Sequence, residues 1–204
     1  MIKAGHHPFY VWFFRHYSRW MIRSHFRQVI IEGDTEKTDA PLLVISNHFS
    51  WWDGFFINHL NHKLWQKKFH VMMLEEQLSN RKFLSRAGAF SIKRGNRSAL
   101  ESMHYAKNLL TNPENLLLMY PQGEFNSLAY RPVKFEKGIE DLLEKNEISV
   151  KMVVALIDYF SHRKPSLFLY IKDFENNTEH LEAAFNNFLE ACVKKQNLKA
   201  TNDN

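Results

Sequence analysis

Leu42-Leu43-Val44-Ile45-Ser46-Asn47-His48-Phe49-Ser50-Trp51-Trp52-Asp53 sets an apolar run against a histidine and, five residues later, a carboxylate. Four consecutive apolar residues bounded by polar ones predict a strand buried on both faces. Ser50, with Asp53 three residues on, has the pattern of a capping box opening a helix. The chain therefore leaves a buried strand carrying an imidazole and enters a helix whose first turn carries an acid.

Outward from this stretch, strand and helix signals alternate. Strands are predicted at 28–32, 41–46, 69–74, 115–120, 150–158 and 166–173, and helices at 51–61, 97–110, 135–145 and 179–195. The alternation argues an α/β fold, a largely parallel mixed sheet flanked by helices on both faces. Leu116-Leu117-Leu118-Met119 and Val153-Val154-Ala155-Leu156-Ile157 have the continuous apolar character of central strands. Ser98 with Glu101 forms a second capping-box pattern. In the last helix, Leu181, Ala184, Phe185, Phe188, Leu189 and Cys192 share one face, so the single cysteine reads as packing. One cysteine permits no intrachain disulfide, and a reducing compartment is the simplest expectation. The triplet Asn176-Asn177-Thr178 fits a glycosylation sequon and reads as chance without a secretory signal.

Charge is unevenly placed. Of 27 Lys and Arg against 22 Asp and Glu, five cations (Lys3, Arg15, Arg19, Arg23 and Arg27) precede the first carboxylate, Glu32, so the remaining charges cancel. Residues 8–28 are predicted to form an amphipathic helix. Its arginines recur every four positions, while Phe9, Phe13, Tyr17, Trp20 and Met21 mark another side. Such a helix suits an anionic membrane surface, with aromatic rings at the headgroup level. The alternative is a helix docked on the main domain with its arginines in water. No apolar run approaches the roughly 20 residues that span a bilayer. The expected organisation is a membrane-associating helix at 1–31, an α/β domain at 32–195 and a polar tail at 196–204.

Imidazole ionises near neutral pH and serves as a general base when a carboxylate fixes its tautomer and stabilises the imidazolium. His48 and Asp53 are the candidates for that pair. The block Asn47 to Asp53 resembles the H-x4-D signature of the glycerolipid acyltransferase family, the lysophosphatidic-acid and glycerol-phosphate acyltransferases. Three further blocks follow in that family's order. Gly88-Ala89-Phe90-Ser91-Ile92-Lys93-Arg94 resembles its second motif. Tyr120-Pro121-Gln122-Gly123-Glu124 resembles the third, usually F-P-E-G-T-R. Val153 to Ile157 resembles the apolar fourth, without its usual proline.

The resemblance implies a mechanism. His48 deprotonates an acceptor hydroxyl, Asp53 orients His48, and the alkoxide attacks the thioester of acyl-CoA or acyl carrier protein. No acyl-enzyme, metal or bound cofactor is required. Asn47, Gly88, Lys93, Arg94, Pro121, Gln122, Gly123 and Glu124 carry over as candidate substrate-binding positions, with Arg94 suited to phosphate. Backbone N–H groups near Gly123 are candidates for the oxyanion. The implied partners are an acyl thioester donor, a lyso-lipid acceptor and an anionic membrane surface at the cytoplasmic face, with no nucleic acid.

The third block departs from the family's pattern. Gln122 replaces glutamate, Glu124 takes the threonine position, and Phe125 stands where an arginine meets acceptor phosphate. An acceptor head group other than plain glycerol 3-phosphate is therefore expected, unless Arg131 supplies the charge. Two other classes compete. A metal hydrolase would use pairs such as His59 and His62, but no metal-binding signature accompanies them. A non-catalytic peripheral lipid-binding protein would tolerate loss of His48.

Overall fold

The computed structural model describes residues 1–93, 95–143, 147–175 and 180–202. In chain order come α1 (Pro8–His25), β1 (Val29–Gly33), β2 (Leu42–Ser46), α2 (Asp53–Leu60), β3 (Lys68–Leu74), α3 (Glu75–Ser79), β4 (Ala89–Ile92), α4 (Asn96–Leu109), β5 (Asn115–Met119), β6 (Ser149–Asp158), β7 (Ser166–Asp173) and α5 (Leu181–Asn202). A π-helical turn at Asn61–Trp65 extends α2, and 3-10 turns lie at Lys82–Arg86 and Glu140–Leu142.

The strands form one sheet in the order β1-β7-β6-β2-β5-β3-β4. Among these strands, only β6 and β7 pair antiparallel. All five residues of β2 are buried in the middle of this sheet. Alternation divides their side chains between two cores. Leu43 and Ile45 pack with Ala106 of α4 and with Leu181, Phe185, Leu189 and Cys192 of α5. Leu42 and Val44 pack with Met21 and Ile22 of α1 and with Phe56, Ile57 and Leu60 of α2. Burial pushes the Cys192 thiol up to about 12, as befits a packed and unreactive side chain.

The largely parallel sheet and the N-terminal helix stand as the sequence predicts. Several details differ. β4 was not anticipated: four residues between Gly88 and Lys93 are too few to display a period. Most of the helix expected at 135–145 does not form. Gly138 is a poor helix former, and the preceding backbone spends its donors on α5: Val133 N–H bonds Asn186 Oδ1 and Phe135 N–H bonds Glu182 Oε2. The last residues of that expected helix, 144 and 145, lie outside the described residues, as does the sequon at 176–178. Ser98 is inside α4 rather than at its cap.

Residue 31 falls within β1, and the chain before it belongs to the same packed body. Ile2 N–H bonds Ser91 Oγ at 2.7 Å, Gly5 N–H bonds Ser85 O at 2.7 Å, and His7 N–H bonds Arg86 O at 2.9 Å. Residues 196–202 are not a frayed tail but the last turns of α5. Gln196 is buried and accepts the Tyr170 hydroxyl, while Lys195 and Lys199 pair with Glu32 of β1.

Helix α1 buries Ser18, Met21 and Ile22. At 3.6 residues per turn, Phe9, Trp12, Phe13 and Trp20 fall on the opposite side, and all four are exposed. The side expected to carry Phe9, Phe13, Tyr17, Trp20 and Met21 together is thus divided, with Met21 facing inward. Arg15, Arg19 and Arg23 are exposed and flank the aromatic face. Among the described residues, no helix is long and apolar enough to cross a membrane.

His70 of β3 is buried, donates from Nε2 toward Asn115 Oδ1 at 3.3 Å, and meets the His6 ring at 4.6 Å. Burial pulls its pKa down to about 4, with the neighbouring His6 adding to the effect. The folded state therefore excludes a proton that the unfolded chain takes up near 6.5, so stability is full above that pH and erodes as pH falls toward 4. We expect the urea midpoint to drop between pH 7 and pH 4.5, and a His70→Asn variant to show a shallower drop.

Candidate active site

The chain emerging from β2 is pinned before it reaches the histidine. Asn47 is buried, and its amide exchanges two hydrogen bonds with the backbone of Ala155 in β6: Nδ2 donates to the carbonyl at 2.9 Å, and Oδ1 accepts the N–H at 2.8 Å. Gln122, on the loop after β5, holds the next residue. Its Oε1 accepts His48 N–H at 2.6 Å, and its Nε2 faces His48 O at 3.5 Å. An amide can accept and donate at once, which a carboxylate at this position could not. Asn126 N–H also donates to His48 O, at 2.9 Å.

The imidazole meets its acid at the first turn of α2. Asp53 Oδ2 accepts the backbone N–H groups of Phe49 at 2.7 Å and Ser50 at 2.9 Å, and lies 2.9 Å from His48 Nδ1. An oxygen already holding two N–H donors is an acceptor, so His48 Nδ1 carries the proton and donates. That tautomer leaves Nε2 with its lone pair outward, as a base requires. Asp53 thus ties down the turn before α2 and orients His48 with the same oxygen, while Ser50 Oγ accepts Trp52 N–H at 3.1 Å rather than capping the helix as expected. Burial pushes the Asp53 carboxyl above the usual carboxylate range, opposed by the His48 hydrogen bond and then the two backbone bonds. The His48 ring stacks on Tyr120 at 3.9 Å and 11° and meets Phe125 at 4.2 Å and 37°.

His48 lines a cavity of about 730 Å³. Its wall runs along β3, from Lys68 through Phe69, Val71, Met72 and Met73 to Leu74, and is completed by Val11, Trp12, Phe14 and Arg15 of α1 and by Gly54, Phe55 and Asn58 of α2. Seven strand residues span about 20 Å, so this is a long apolar slot with the imidazole at one end. Of the five aromatic residues following His48, Trp51 and Phe55 line the slot, Phe56 is core, and Phe49 and Trp52 pack against that core.

The other expected binding positions divide. Gly123 and Glu124 line the cavity, and Glu124 is exposed at its rim. Gly123 has φ +67, and a Cβ there would come within 3.0 Å of the Glu136 side chain. Its own N–H donates to Tyr120 O at 3.2 Å, so that amide is engaged in the turn. Pro121 is buried, its carbonyl accepting Glu136 N–H. Gly88 is a packing glycine: φ is +108, and a Cβ would lie 2.0 Å from Phe69 O. Asn47 and Gln122 face the protein backbone rather than the cavity. Lys93 is exposed after β4, and Arg94 lies outside the described residues. Arg131, the alternative cation, is exposed and donates to Leu128 O of its own turn at 3.1 Å.

The residues not anticipated at this site are Tyr120, whose ring stacks on the imidazole, and the β3 side chains along the slot. Tyr120 directly follows β5, the parallel neighbour of β2 in register Ile45 with Met119. That pairing brings Tyr120 beside the segment carrying His48.

The acyltransferase family model matches residues 22–155. No curated protein matches the chain. Among solved structures, the crystal structure of the 1-acyl-sn-glycerophosphate (LPA) acyltransferase PlsC from Thermotoga maritima is similar, with a TM-score of 0.58 and 16% identity over 91% of this chain and 78% of that one. At that identity the likeness is one of fold.

Removing the Asn47 amide strands the N–H and carbonyl of Ala155 inside the sheet. We expect Asn47→Ala to lower unfolding stability by about 2–3 kcal/mol, read as a reduced denaturant midpoint, without a matching rise in KM.

Proposed function

Since this chain belongs to the acyltransferase family, we propose that it moves a fatty acyl group from a thioester carrier, CoA or acyl carrier protein, to a hydroxyl of a lysophospholipid or related lipid. The observation carrying this reading is the His48–Asp53 pair at the end of a long apolar slot. An acyl tail lying along β3 would deliver its thioester carbonyl beside Nε2 of His48. The base takes the acceptor's hydroxyl proton as its oxygen attacks the carbonyl carbon. The C–S bond then breaks, and the proton passes to the departing thiolate. Asp53 holds the imidazolium formed between those events. The slot's apolar wall excludes water that would otherwise compete for the thioester.

The acceptor in this reading carries a zwitterionic, amine-bearing or uncharged head group. Phe125 lies against the imidazole where a cation would otherwise stand, and Glu124 is exposed at the rim. Access is proposed from a membrane surface at the cytoplasmic face, through α1. Its outward side presents Trp12, at 57% exposure, and Trp20, at 61%, between flanking arginines. Trp12 also lines the slot. This geometry suits an interfacial helix with its aromatic side in the headgroup layer.

Three measurements test the reading. With acyl-CoA or acyl carrier protein as donor, His48→Ala should lose activity by a factor on the order of 10²–10⁴ while remaining folded; unchanged turnover would refute His48 as the base, and absent turnover in the unaltered chain would leave the lipid-binding alternative standing. In a panel of lyso-lipids, amine-bearing or neutral acceptors should outpace lysophosphatidic acid, and acylation of lysophosphatidic acid alone would defeat the head-group proposal. Tryptophan fluorescence should shift to the blue on anionic vesicles, and Trp12→Ser with Trp20→Ser should weaken vesicle binding in sedimentation.

A further inference from the structure

Two polar atoms beside the catalytic pair are buried and lack a partner: the hydroxyl of Tyr120 and the second carboxylate oxygen of Asp53, Oδ1. One is a donor and the other an acceptor. Both stand at the first turn of α2: a Cβ at Gly54, the residue after Asp53, would lie 3.9 Å from the Tyr120 oxygen. The Tyr120 ring is meanwhile parallel to the His48 imidazole at 3.9 Å. The family's usual residue at this position, phenylalanine, supplies the ring without the hydroxyl.

We propose that Tyr120 is a positioning residue for the pair, its ring setting the plane of His48 and its hydroxyl donating a hydrogen bond to Asp53 Oδ1 in the working enzyme. The inference rests on the role proposed above for His48. A hydrogen bond between the two atoms would satisfy two buried polar groups at once. Asp53 then receives three N–H donors on one oxygen and one O–H on the other, and its charge is held from both sides. The phenol itself stays protonated, since burial and the nearby Asp53 charge both raise its pKa.

The hydroxyl has a consequence of definite sign. Its dipole stabilises the most negative state of the pair, neutral His48 with ionised Asp53. Removing it makes the pair hold its proton more tightly, so protonation occurs at higher pH. Among the described residues, the other titratable groups on the cavity wall are Glu124 from the loop after β5, His6 and Arg15 from the N-terminal segment, and His62, Lys67 and Lys68 around the start of β3. No hydrogen bond joins any of these six to Asp53 or to the His48 ring. They are common to both forms of the protein in the test.

The test is the His48 ring titration by NMR in the substrate-free protein and in Tyr120→Phe, which keeps the ring and the packing. We expect the midpoint to move upward by about one pH unit, and the acid limb of the kcat/KM profile to move with it while KM for the acyl donor stays within twofold. A midpoint that does not move, in a variant with unchanged circular dichroism, would overturn the assignment whatever the activity. The titration needs no substrate. Failure of the acyltransferase reading would instead appear as absent turnover in the unaltered chain.

Discussion

One oxygen organises this molecule's functional end. Asp53 Oδ2 gathers the imidazole N–H of His48 and the backbone N–H groups of Phe49 and Ser50. The backbone bonds curl the chain leaving β2 into the start of α2, and the same curl returns the carboxylate to the histidine. Turn geometry and imidazole orientation are therefore one arrangement, and a change that frees either loosens the other. Burial of that carboxylate works against its charge, so the three donors are a condition for its ionisation as well as for the turn.

The frame carrying this arrangement follows from register. β2 is the middle strand, fully buried, and its parallel neighbour β5 ends beside it. Segments leaving adjacent parallel strands at the same edge must meet, which is why His48 and Tyr120 face one another. Open α/β sheets place ligands outside the carboxyl ends of their strands, and the slot along β3 begins at this edge. Asn47 and Gln122 fix that edge through the backbone of β6 and of His48 itself.

The sheet was legible because β2, β5, β6 and β7 are long apolar runs that cannot be stable anywhere but in an interior. The His48–Asp53 pair was legible because both residues lie within five positions of one another. The slot was legible only at Trp51 and Phe55, since the rest of its wall comes from segments distant in sequence, and Met72 and Met73 read as ordinary strand residues. Asn47 and Gln122 were assigned to substrate because their motif suggested it, whereas their amides are occupied by main chain. A motif reports that a residue matters and is silent on whether it faces outward or inward. β4 escaped notice because four residues show no period, and the expected helix at 135–145 gave way to bonds with Glu182 and Asn186 that only tertiary structure supplies.

The pairing of residues 2–7 with residues 85–91 bears on how the molecule assembles. Those first residues bond to a segment made much later, and β1 must wait longer still for β7. His6 and Pro8 belong to the wall of the slot. A growing polypeptide therefore carries a greasy, half-walled groove until its own beginning folds back across it. Contacts so remote along the chain slow the approach to the native state and prolong exposure of adhesive surface. During that interval the exposed surface is open to association with other apolar groups.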